Sequence, residues 1–205
     1  MLEDRIYRNS YVLISKTIGI LLYPFYKTFN LFRFKYKINK INIKTILITE
    51  YHRIGDVLII FNAVKILKEA FPKAKIILLC SNYALEIARE MKIADEVIGI
   101  SVPWTSWDWS PRNWIKVRSF ARKLRKYKID LAFDFKGDIR NSWFIWQTKP
   151  KISFGYNTTG GGYFFSRSFQ MNQSKHQSFR AIELVEKAGI KYRELVLPKK
   201  KINRK

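Results

Sequence analysis

From Lys44 onward, short runs of apolar, mostly β-branched residues alternate with stretches in which apolar residues recur every three or four positions. Short apolar runs such as TILIT at 45–49 predict buried strands, and the three-to-four spacing predicts amphipathic helices. Strands separated by helices imply a parallel sheet with right-handed crossovers. The sequence therefore predicts an α/β fold, a Rossmann-like parallel sheet with flanking helices.

The predicted elements follow one another from residue 45 to residue 188. Gly189 is placed to end the last helix, because glycine adopts the left-handed conformation that closes many helices. The predicted strands are 45–49, 75–80, 96–100, 129–134 and 151–155, and the predicted helices are 56–70, 83–91, 112–128, 139–147 and 176–188.

The chain divides into a basic amphipathic extension at 1–43, a Rossmann-like domain at 44–190 and a basic tail at 191–205. A basic helix with bulky apolar residues can lie in the plane of a bilayer interface. A helix packed on its own domain, or a subunit contact, would show the same pattern. Polar residues near one helical face are Arg5, Asn9, Lys16, Lys27 and Asn30, and the apolar residues elsewhere are Ile6, Leu13, Leu21, Phe25, Phe29 and Phe32.

The extension does not predict a membrane-spanning helix. Its best candidate, residues 11–26, is interrupted by Lys16 and Pro24. The longest uncharged stretch, 17–26, is well short of the roughly 20 residues that a spanning helix requires. The flanking charges also do not follow the order of a cleaved signal peptide.

The charge of the chain points to anionic partners. The 205 residues include 39 Lys and Arg against 16 Asp and Glu, a net charge of +23. Phosphates on nucleic acid, lipid headgroups or a phosphorylated glycan would attract such a protein. Nucleic acid is the weakest of the three, because the basic residues are split between the extension, one helix and the tail. The single cysteine, Cys80, excludes an internal disulfide and fits a reducing compartment.

The first strand-to-helix turn, residues 50–58, is the strongest candidate site. Ligands of open parallel sheets bind beyond the carboxyl ends of the strands, where this turn lies. Gly55 is expected to allow a sharp turn with room for a substrate, and Asp56 to start the helix. An aspartate at that position is often only a helix cap. The turn does not match the GxGxxG pattern, so it gives little support for a dinucleotide site.

Four matches in the same order resemble family 9 glycosyltransferases, the bacterial heptosyltransferase group. They are RIGDVL at 53–58 followed by NAVKILK at 62–68, YKIDLAFDFKG at 127–137, FGY at 154–156 with GGG at 160–162, and His176 followed by ELV at 183–185. Together these segments extend over nearly the whole predicted domain.

The resemblance implies one half of a two-domain GT-B fold, the N-terminal, acceptor-side half. It implies transfer of a sugar, commonly heptose, from a nucleotide-sugar to a lipopolysaccharide-type or other anionic glycolipid, without metal or cofactor. Asp56 would be the general base that deprotonates the acceptor hydroxyl. The acceptor-binding residues implied are Arg53, Gly55, Lys136, Gly137, Arg140 and His176.

The resemblance also implies partners and a location. The nucleotide-sugar would be held mainly by a second domain that is not in these 205 residues, so a separate donor-binding chain is an expected partner. Cell-envelope synthesis would place the protein in the cytoplasm, peripheral on the inner membrane. A non-catalytic, membrane-associated remnant or accessory subunit remains the alternative.

Three features depart from the family pattern. Lys136 stands where glutamine is usual, Asp138 where asparagine or an apolar residue is common, and the chain stops at the linker. The lysine adds a positive charge to the expected acceptor cleft, and the missing half leaves activity of the chain alone open.

The helix predicted at 112–128 carries eight basic residues and no acidic one. It is expected to bind an anionic surface through Arg112, Lys116, Arg122, Lys123 and Lys126, although a solvated helix face has the same composition. Four nearby tryptophans, Trp104, Trp107, Trp109 and Trp114, would lie at headgroup level, stack on sugars or cap the sheet. His176 equally fits a residue that satisfies the backbone at a helix start, and His52 is expected to be structural or exposed rather than a ligand. The two histidines and one cysteine are too far apart in sequence to suggest a metal site.

Overall fold

Six parallel strands form one sheet in the order β3-β2-β1-β4-β5-β6. The computed structural model describes residues 9–31, 38, 42–106 and 110–191. The predicted fold class is confirmed. The strands are Thr45–Glu50 (β1), Lys75–Ser81 (β2), Glu96–Ile100 (β3), Leu131–Asp134 (β4), Ile152–Tyr156 (β5) and Arg167–Phe169 (β6).

The helices of the described residues join and flank these strands. They are Asn9–Leu31 (α1), Ile54–Ile59 (α2), Phe61–Ala70 (α3), Leu85–Glu90 (α4), Pro103–Ser106 (α5), Pro111–Lys123 (α6), Ile139–Thr148 (α7) and Gln177–Lys187 (α8). Short 3₁₀ turns occupy Asn82–Ala84, Leu124–Tyr127 and Gly162–Phe164.

Three predicted helices differ in detail from the structure. The helix expected at 56–70 is two helices, α2 and α3, with Ile60 between them. The helix expected at 83–91 begins as a 3₁₀ turn, and α6 tightens into one after Lys123. Gly189 follows α8 with a φ of +85°, as predicted for the residue that ends this helix. Strand β6 was not predicted, because its three residues lie at the sheet edge and are mostly exposed.

The sheet is covered on both faces. One apolar cluster joins the strands to α2, α3, α4 and α8, and a second joins them to α6 and α7. In β1, Ile46 and Ile48 belong to the first cluster and Leu47 to the second, so alternate side chains serve the two faces. The fully buried central strands therefore carry the continuous apolar runs from which they were predicted.

Helix α1 lies over α7 and the 3₁₀ turn Gly162–Phe164. Near one end, the Tyr11 hydroxyl contacts the Asp138 carboxylate at 3.4 Å. Near the other, the Tyr26 ring is 5.1 Å from the Trp146 ring and 4.6 Å from the Phe164 ring. Because Asp138 precedes α7 and Trp146 is near its end, α1 runs along α7 in the same direction.

The middle of α1 lies very close to the backbone at Gly160. A Cβ added to Gly19 would lie 2.7 Å from the carbonyl oxygen of Gly160, and one added to Gly160 would lie 3.0 Å from the Cα of Lys16. The glycine run at 160–162 therefore permits a close approach, and the partner is α1.

Most of α1 nevertheless faces solvent, with Ser15 and Gly19 as the buried positions among its described side chains. The contact of α1 with its own domain, one of the alternatives that the sequence left open, is thus limited to a narrow line along the helix. The exposed apolar residues are Leu13, Ile14, Ile18, Ile20, Leu21, Leu22, Tyr23 and Phe25. Arg5, Ile6 and Phe32, and the side chains of Asn9, Lys27, Phe29 and Asn30, lie outside the described part of the molecule.

None of the helices within the described ranges combines the length and the apolar character needed to cross a membrane. The tail, apart from Lys191, lies outside the described residues, as do Trp107 and Trp109.

Candidate functional site

The order of the strands defines where a ligand would bind. From β1 the chain runs outward through β2 to β3. It then returns to the centre of the sheet at β4 and runs outward in the other direction through β5 to β6. Such a reversal opens a crevice at the carboxyl ends of the two central strands. The segments that follow β1 and β4 contain the predicted residues Arg53, Gly55, Asp56, Lys136 and Gly137.

Asp56 and Lys136 meet across this crevice. The Lys136 Nζ lies 2.7 Å from Asp56 Oδ1, and the two side chains retain only 9% and 12% of their exposure, respectively. Two predicted site residues that are 80 positions apart are thus in direct contact. The pair joins the segment after β1 to the segment after β4.

Asp56 is not the cap of α2. The N-terminal cap position is held by Arg53, without a side-chain cap hydrogen bond, and Asp56 lies within the first turn. The carboxylate is therefore available for the contact with Lys136 rather than used on the helix end.

Gly55 does not form the sharp turn that was expected of it. It lies inside α2 and is not among the glycines with positive φ, so no sharp turn depends on it. A Cβ placed there would meet nothing within 4 Å. The expected open space next to Gly55 is present, but the backbone does not need glycine to form it.

Gly137, in contrast, is required by the backbone. Its φ is +73°, and an added Cβ would lie 2.6 Å from Thr158 Oγ1 and 2.8 Å from Tyr156 Cβ. Its N–H donates to Asp134 Oδ2 at 2.8 Å, and its carbonyl accepts from the Thr159 N–H at 3.2 Å. Gly137 therefore fixes the loop that carries Lys136.

The hollow beside Asp56 is small. Its free volume is about 10 Å³, and its lining includes Glu50, Asp56, Lys136, Gln177 and Arg180. A cavity of this size holds about one water molecule. The hollow therefore has no room for a sugar beside Asp56 with Lys136 and α8 in these positions.

Arg140 faces away from the Asp56–Lys136 pair and toward α1. Its Nε donates to Asp138 Oδ1 at 2.8 Å, and its guanidinium lies over the rings of Tyr11 and Trp104 at 4.9 and 5.9 Å. Asp138 also caps α7 by accepting the Arg140 N–H. The departure at Asp138 thus has a structural explanation in this chain, and an open cleft shared by Asp56, Lys136 and Arg140 is not observed.

His176 caps helix α8. Its Nδ1 accepts from the Ser178 N–H at 3.3 Å, and its side chain is exposed. The interpretation that it satisfies the backbone at a helix start is confirmed, and an acceptor contact from His176 stays a prediction. The neighbouring Gln177 does line the hollow.

Three buried ionisable residues at the crevice were assigned no role from the sequence: Glu50, Asp134 and Arg180. The Glu50 carboxylate lies 3.1 Å from His52 Nδ1. Burial, opposed by hydrogen bonds from Gly137 and Asn141, raises the pKa of Asp134 to about 7. Their sequence signal was weak, because acidic residues at the ends of apolar strands have no characteristic spacing.

Arg180 is a buried cation held mainly by carbonyl groups. Its guanidinium donates to the carbonyl oxygens of Lys175 and Gln173. Its own carbonyl accepts from the Tyr156 hydroxyl. The guanidinium fixes the segment before α8 against the hollow, so α8 closes the crevice opposite Lys136.

The basic residues of α6 and of the 3₁₀ turn that follows it lie on a different surface. Arg112, Lys116, Arg122, Lys123 and Lys126 are exposed, and α6 packs beside α7 on the face that also bears α1. Trp104 is buried and donates to Asn141 Oδ1 at 2.9 Å, and Trp114 is partly buried against it. Of the four predicted tryptophans, these two therefore form a packed cap over the sheet.

No group of three or more His, Cys, Asp or Glu side chains within the described ranges could hold a metal ion.

The sheet order and the crevice define the class of fold as Rossmann-like, matching half of the GT-B glycosyltransferases. Among solved structures, a family 9 glycosyl transferase from Veillonella parvula superimposes with a TM-score of 0.63 at 19% identity, over 72% of this chain and 42% of that one. No family profile and no curated protein matches the sequence.

Two Escherichia coli proteins are similar to the same extent. Heptosyltransferase WaaC with ADP gives a TM-score of 0.59 at 19% identity, over 70% of this chain and 47% of that one. ADP-heptose lps heptosyltransferase II gives a TM-score of 0.58 at 14% identity, over 69% of this chain and 40% of that one. The chain thus spans about half the length of these proteins or less, and the resemblance seen in the sequence is confirmed at the level of the fold.

Proposed function

We propose that this chain is the acceptor-side half of a glycosyltransferase that acts on an anionic glycolipid at a membrane surface. Asp56 would accept the proton of the attacking hydroxyl. The donor nucleotide-sugar would be held mainly by a second domain, from another chain or another part of a longer protein.

The observation that carries the proposal is the position of Asp56. It lies at the crevice where parallel sheets bind ligands, on a fold similar to that of heptosyltransferases. A general base must come within hydrogen-bond distance of the proton it removes, and here a nearly buried carboxylate faces the crevice.

Lys136 favours an anionic acceptor. Its amine occupies the place next to Asp56 that a hydroxyl would take. A phosphate or carboxylate on the acceptor offers that amine a new partner, so binding would move Lys136 away and leave Asp56 facing the hydroxyl. A neutral acceptor offers no such exchange. Arg53, which is exposed at the start of α2, would provide a further positive charge at the entrance.

The surface of the molecule supports membrane association. The exposed apolar residues of α1 and the exposed basic residues of α6 lie on the same face of the sheet. Apolar residues that enter the interface and cations that attract anionic lipid are the two components of peripheral binding. We therefore infer peripheral membrane binding, and the family resemblance implies that it takes place on the cytoplasmic face of the inner membrane.

A second candidate is a non-catalytic accessory subunit that retains the fold. The closed Asp56–Lys136 pair and the small hollow favour it, because no acceptor fits without rearrangement.

A transfer assay separates the two candidates. Anionic glycolipid is incubated with a mixture of nucleotide-sugars and this protein, with and without a purified donor domain from a family 9 glycosyltransferase. Asp56→Asn tests the base, and Asp95→Asn is the matched control. Asp95 accepts the Ile76 N–H at the amino end of β2, whereas the crevice lies at the carboxyl ends of the strands.

Loss of a general base lowers rates by about 10² to 10⁴-fold. Transfer that needs this chain, falls to that extent in Asp56→Asn and persists in Asp95→Asn supports the enzyme. Retained glycolipid binding with no transfer in any combination favours the accessory subunit.

A further inference from the structure

A groove runs along α1 on the side that faces α6. Its floor is formed by α7, its walls by α1 and α6, and its volume is about 480 Å³. That volume lies within the range of about 300–1,000 Å³ typical of small-molecule sites. The lining includes Ile14, Ile18 and Leu22 from α1, Trp114 from α6, and Trp143 from α7.

The walls of this groove are held in place by packing contacts of the residues that form them. The Trp114 ring lies 5.3 Å from the Trp104 ring and 5.6 Å from the Trp143 ring. On the other side, the Gly19–Gly160 contact sets the position of α1. The groove is therefore defined by packed elements on both sides.

The shape and chemistry of the groove suit an extended apolar chain. Ile14, Ile18 and Leu22 follow one another at intervals of four residues along α1, which spans about 12 Å at 1.5 Å per residue. The charged group in the lining, Arg140, is paired with Asp138. An apolar ligand would bury hydrocarbon against these side chains, and the hydrophobic effect would favour its binding.

Cations lie next to the groove on α6. Arg118 and Arg122 follow Trp114 at intervals of four residues, so all three project from the same side of the helix. Arg118, Arg122 and Arg125 are close enough that the first two, together with the larger effect of burial, lower the pKa of Arg125. Arg125, in the 3₁₀ turn after α6, donates to the Gln147 carbonyl of α7, which places this side of α6 toward α7, the helix that forms the floor of the groove. No acidic residue in α6 offsets these charges.

We propose that the groove binds one acyl chain of an anionic membrane lipid, with the headgroup phosphate at Arg118 and Arg122. The apolar walls and the adjacent arginines together match the two parts of such a lipid. The exposed apolar residues of α1 are continuous with the groove, so a chain would enter from the bilayer. This site does not depend on glycosyl transfer.

Monomeric lipid tests the groove separately from membrane binding. Lysophosphatidylglycerol with a brominated acyl chain, kept below its critical micelle concentration, is titrated into the protein while tryptophan fluorescence is followed. Saturable quenching that is reduced in Trp143→Phe is expected. Lysophosphatidylcholine of the same chain length is expected to bind at least tenfold more weakly.

Two matched substitutions on α1 identify the site. Ile18→Asn changes the groove wall, and Ile20→Asn changes an exposed residue that lines the hollow on the other side of α1. We expect at least tenfold weaker lysolipid binding for Ile18→Asn and less than a twofold change for Ile20→Asn. Arg118→Gln with Arg122→Gln is expected to abolish the preference for the anionic headgroup.

Equal effects of the two isoleucine substitutions, or no saturable quenching, would overturn the proposal. So would light scattering that shows a dimer disrupted by Ile18→Asn, because a second copy would then occupy the groove. Binding of wild-type protein to anionic vesicles without lysolipid binding would retain the membrane location and exclude the acyl-chain site.

Discussion

The Lys136 amine lies 2.7 Å from the Asp56 carboxylate, and this contact joins the two halves of the sheet at the crevice between β1 and β4. Each partner is about nine-tenths buried. The pair therefore contributes to the fold, and it also controls access to the carboxylate.

Replacing either Lys136 or Asp56 should destabilise the protein, and the effects of the two substitutions should not be additive. Lys136→Gln leaves a nearly buried carboxylate without its cation, at a cost of about 3 kcal/mol. Asp56→Asn leaves the cation in the same situation. The double variant should be more stable than the sum of the two losses predicts, by about 0.5–3 kcal/mol. Urea unfolding of the four proteins measures this coupling, and additive losses would contradict a direct interaction.

Lys136→Gln should also change ligand binding. The shorter neutral side chain enlarges the hollow beside Asp56, so neutral glycans should gain access, and anionic glycans should lose affinity. Calorimetric titration with a matched pair of phosphorylated and unphosphorylated oligosaccharides measures the preference. A preference for the phosphorylated sugar that survives the substitution would show that Lys136 does not select the acceptor.

The contribution of Asp134 to the stability of the protein should fall as pH rises from 4 to 7. Burial raises the pKa of Asp134 to about 7, whereas an unfolded aspartate ionises near 3.9. The folded state thus holds a proton that the unfolded state releases. The contribution of Asp134 is fully favourable below pH 4 and is lost as pH passes 7, by on the order of 4 kcal/mol.

Denaturant unfolding at several pH values checks this prediction for Asp134. Asp134→Asn should remove a slope of about 1.4 kcal/mol per pH unit, whatever its effect at a single pH. An unchanged slope would mean that Asp134 is ionised throughout.

Gly19→Ala should displace α1. The added methyl would lie 2.7 Å from the Gly160 carbonyl oxygen, too close for the helix to keep its position. Amide hydrogen exchange in α1 should rise at least tenfold while exchange in β1 and β4 stays slow. Gly55→Ala is the control, because its methyl meets nothing within 4 Å and alanine favours the helix by up to about 1 kcal/mol. Unchanged exchange in α1 would show that the glycine contact does not hold it.

Neutralising cations on α6 should weaken membrane binding. A basic residue near an anionic surface contributes about 1 kcal/mol, so Lys116→Gln with Lys123→Gln should reduce vesicle affinity by roughly 30-fold at low salt. Lys65→Gln with Lys73→Gln makes the same change in net charge on the opposite side of the sheet. Co-sedimentation with anionic vesicles compares the two, and equal losses would indicate attraction to net charge alone.

The fold was largely predictable because its central strands are buried on both faces. TILIT at 45–49 and the apolar run at 75–80 are continuous for that reason, and both became strands. Strand β6 escaped prediction because its three residues at the edge bury little surface. A pattern of burial cannot reveal an element that is mostly exposed.

The candidate site was predictable residue by residue but less so as an arrangement. Asp56 and Lys136 were both named, yet their contact depends on how the loop at Gly137 turns, and sequence spacing does not contain that information. Arg140 was expected beside them and instead contacts Asp138 and Tyr11. Its direction is set by α1, whose position along α7 no local pattern reveals.

Only Gly137 separates Lys136 from Asp138, and this has a mechanical consequence. Lys136 holds the carboxylate of Asp56, Asp138 receives the hydroxyl of Tyr11, and both N–H and carbonyl of Gly137 are bonded. Because each of its three residues is held by a contact, the loop has little freedom to change conformation, and a displacement at Asp138 would also displace Lys136. Deleting α1 should therefore speed amide exchange around Asp56, which would show that the outer helix restrains the carboxylate at the crevice.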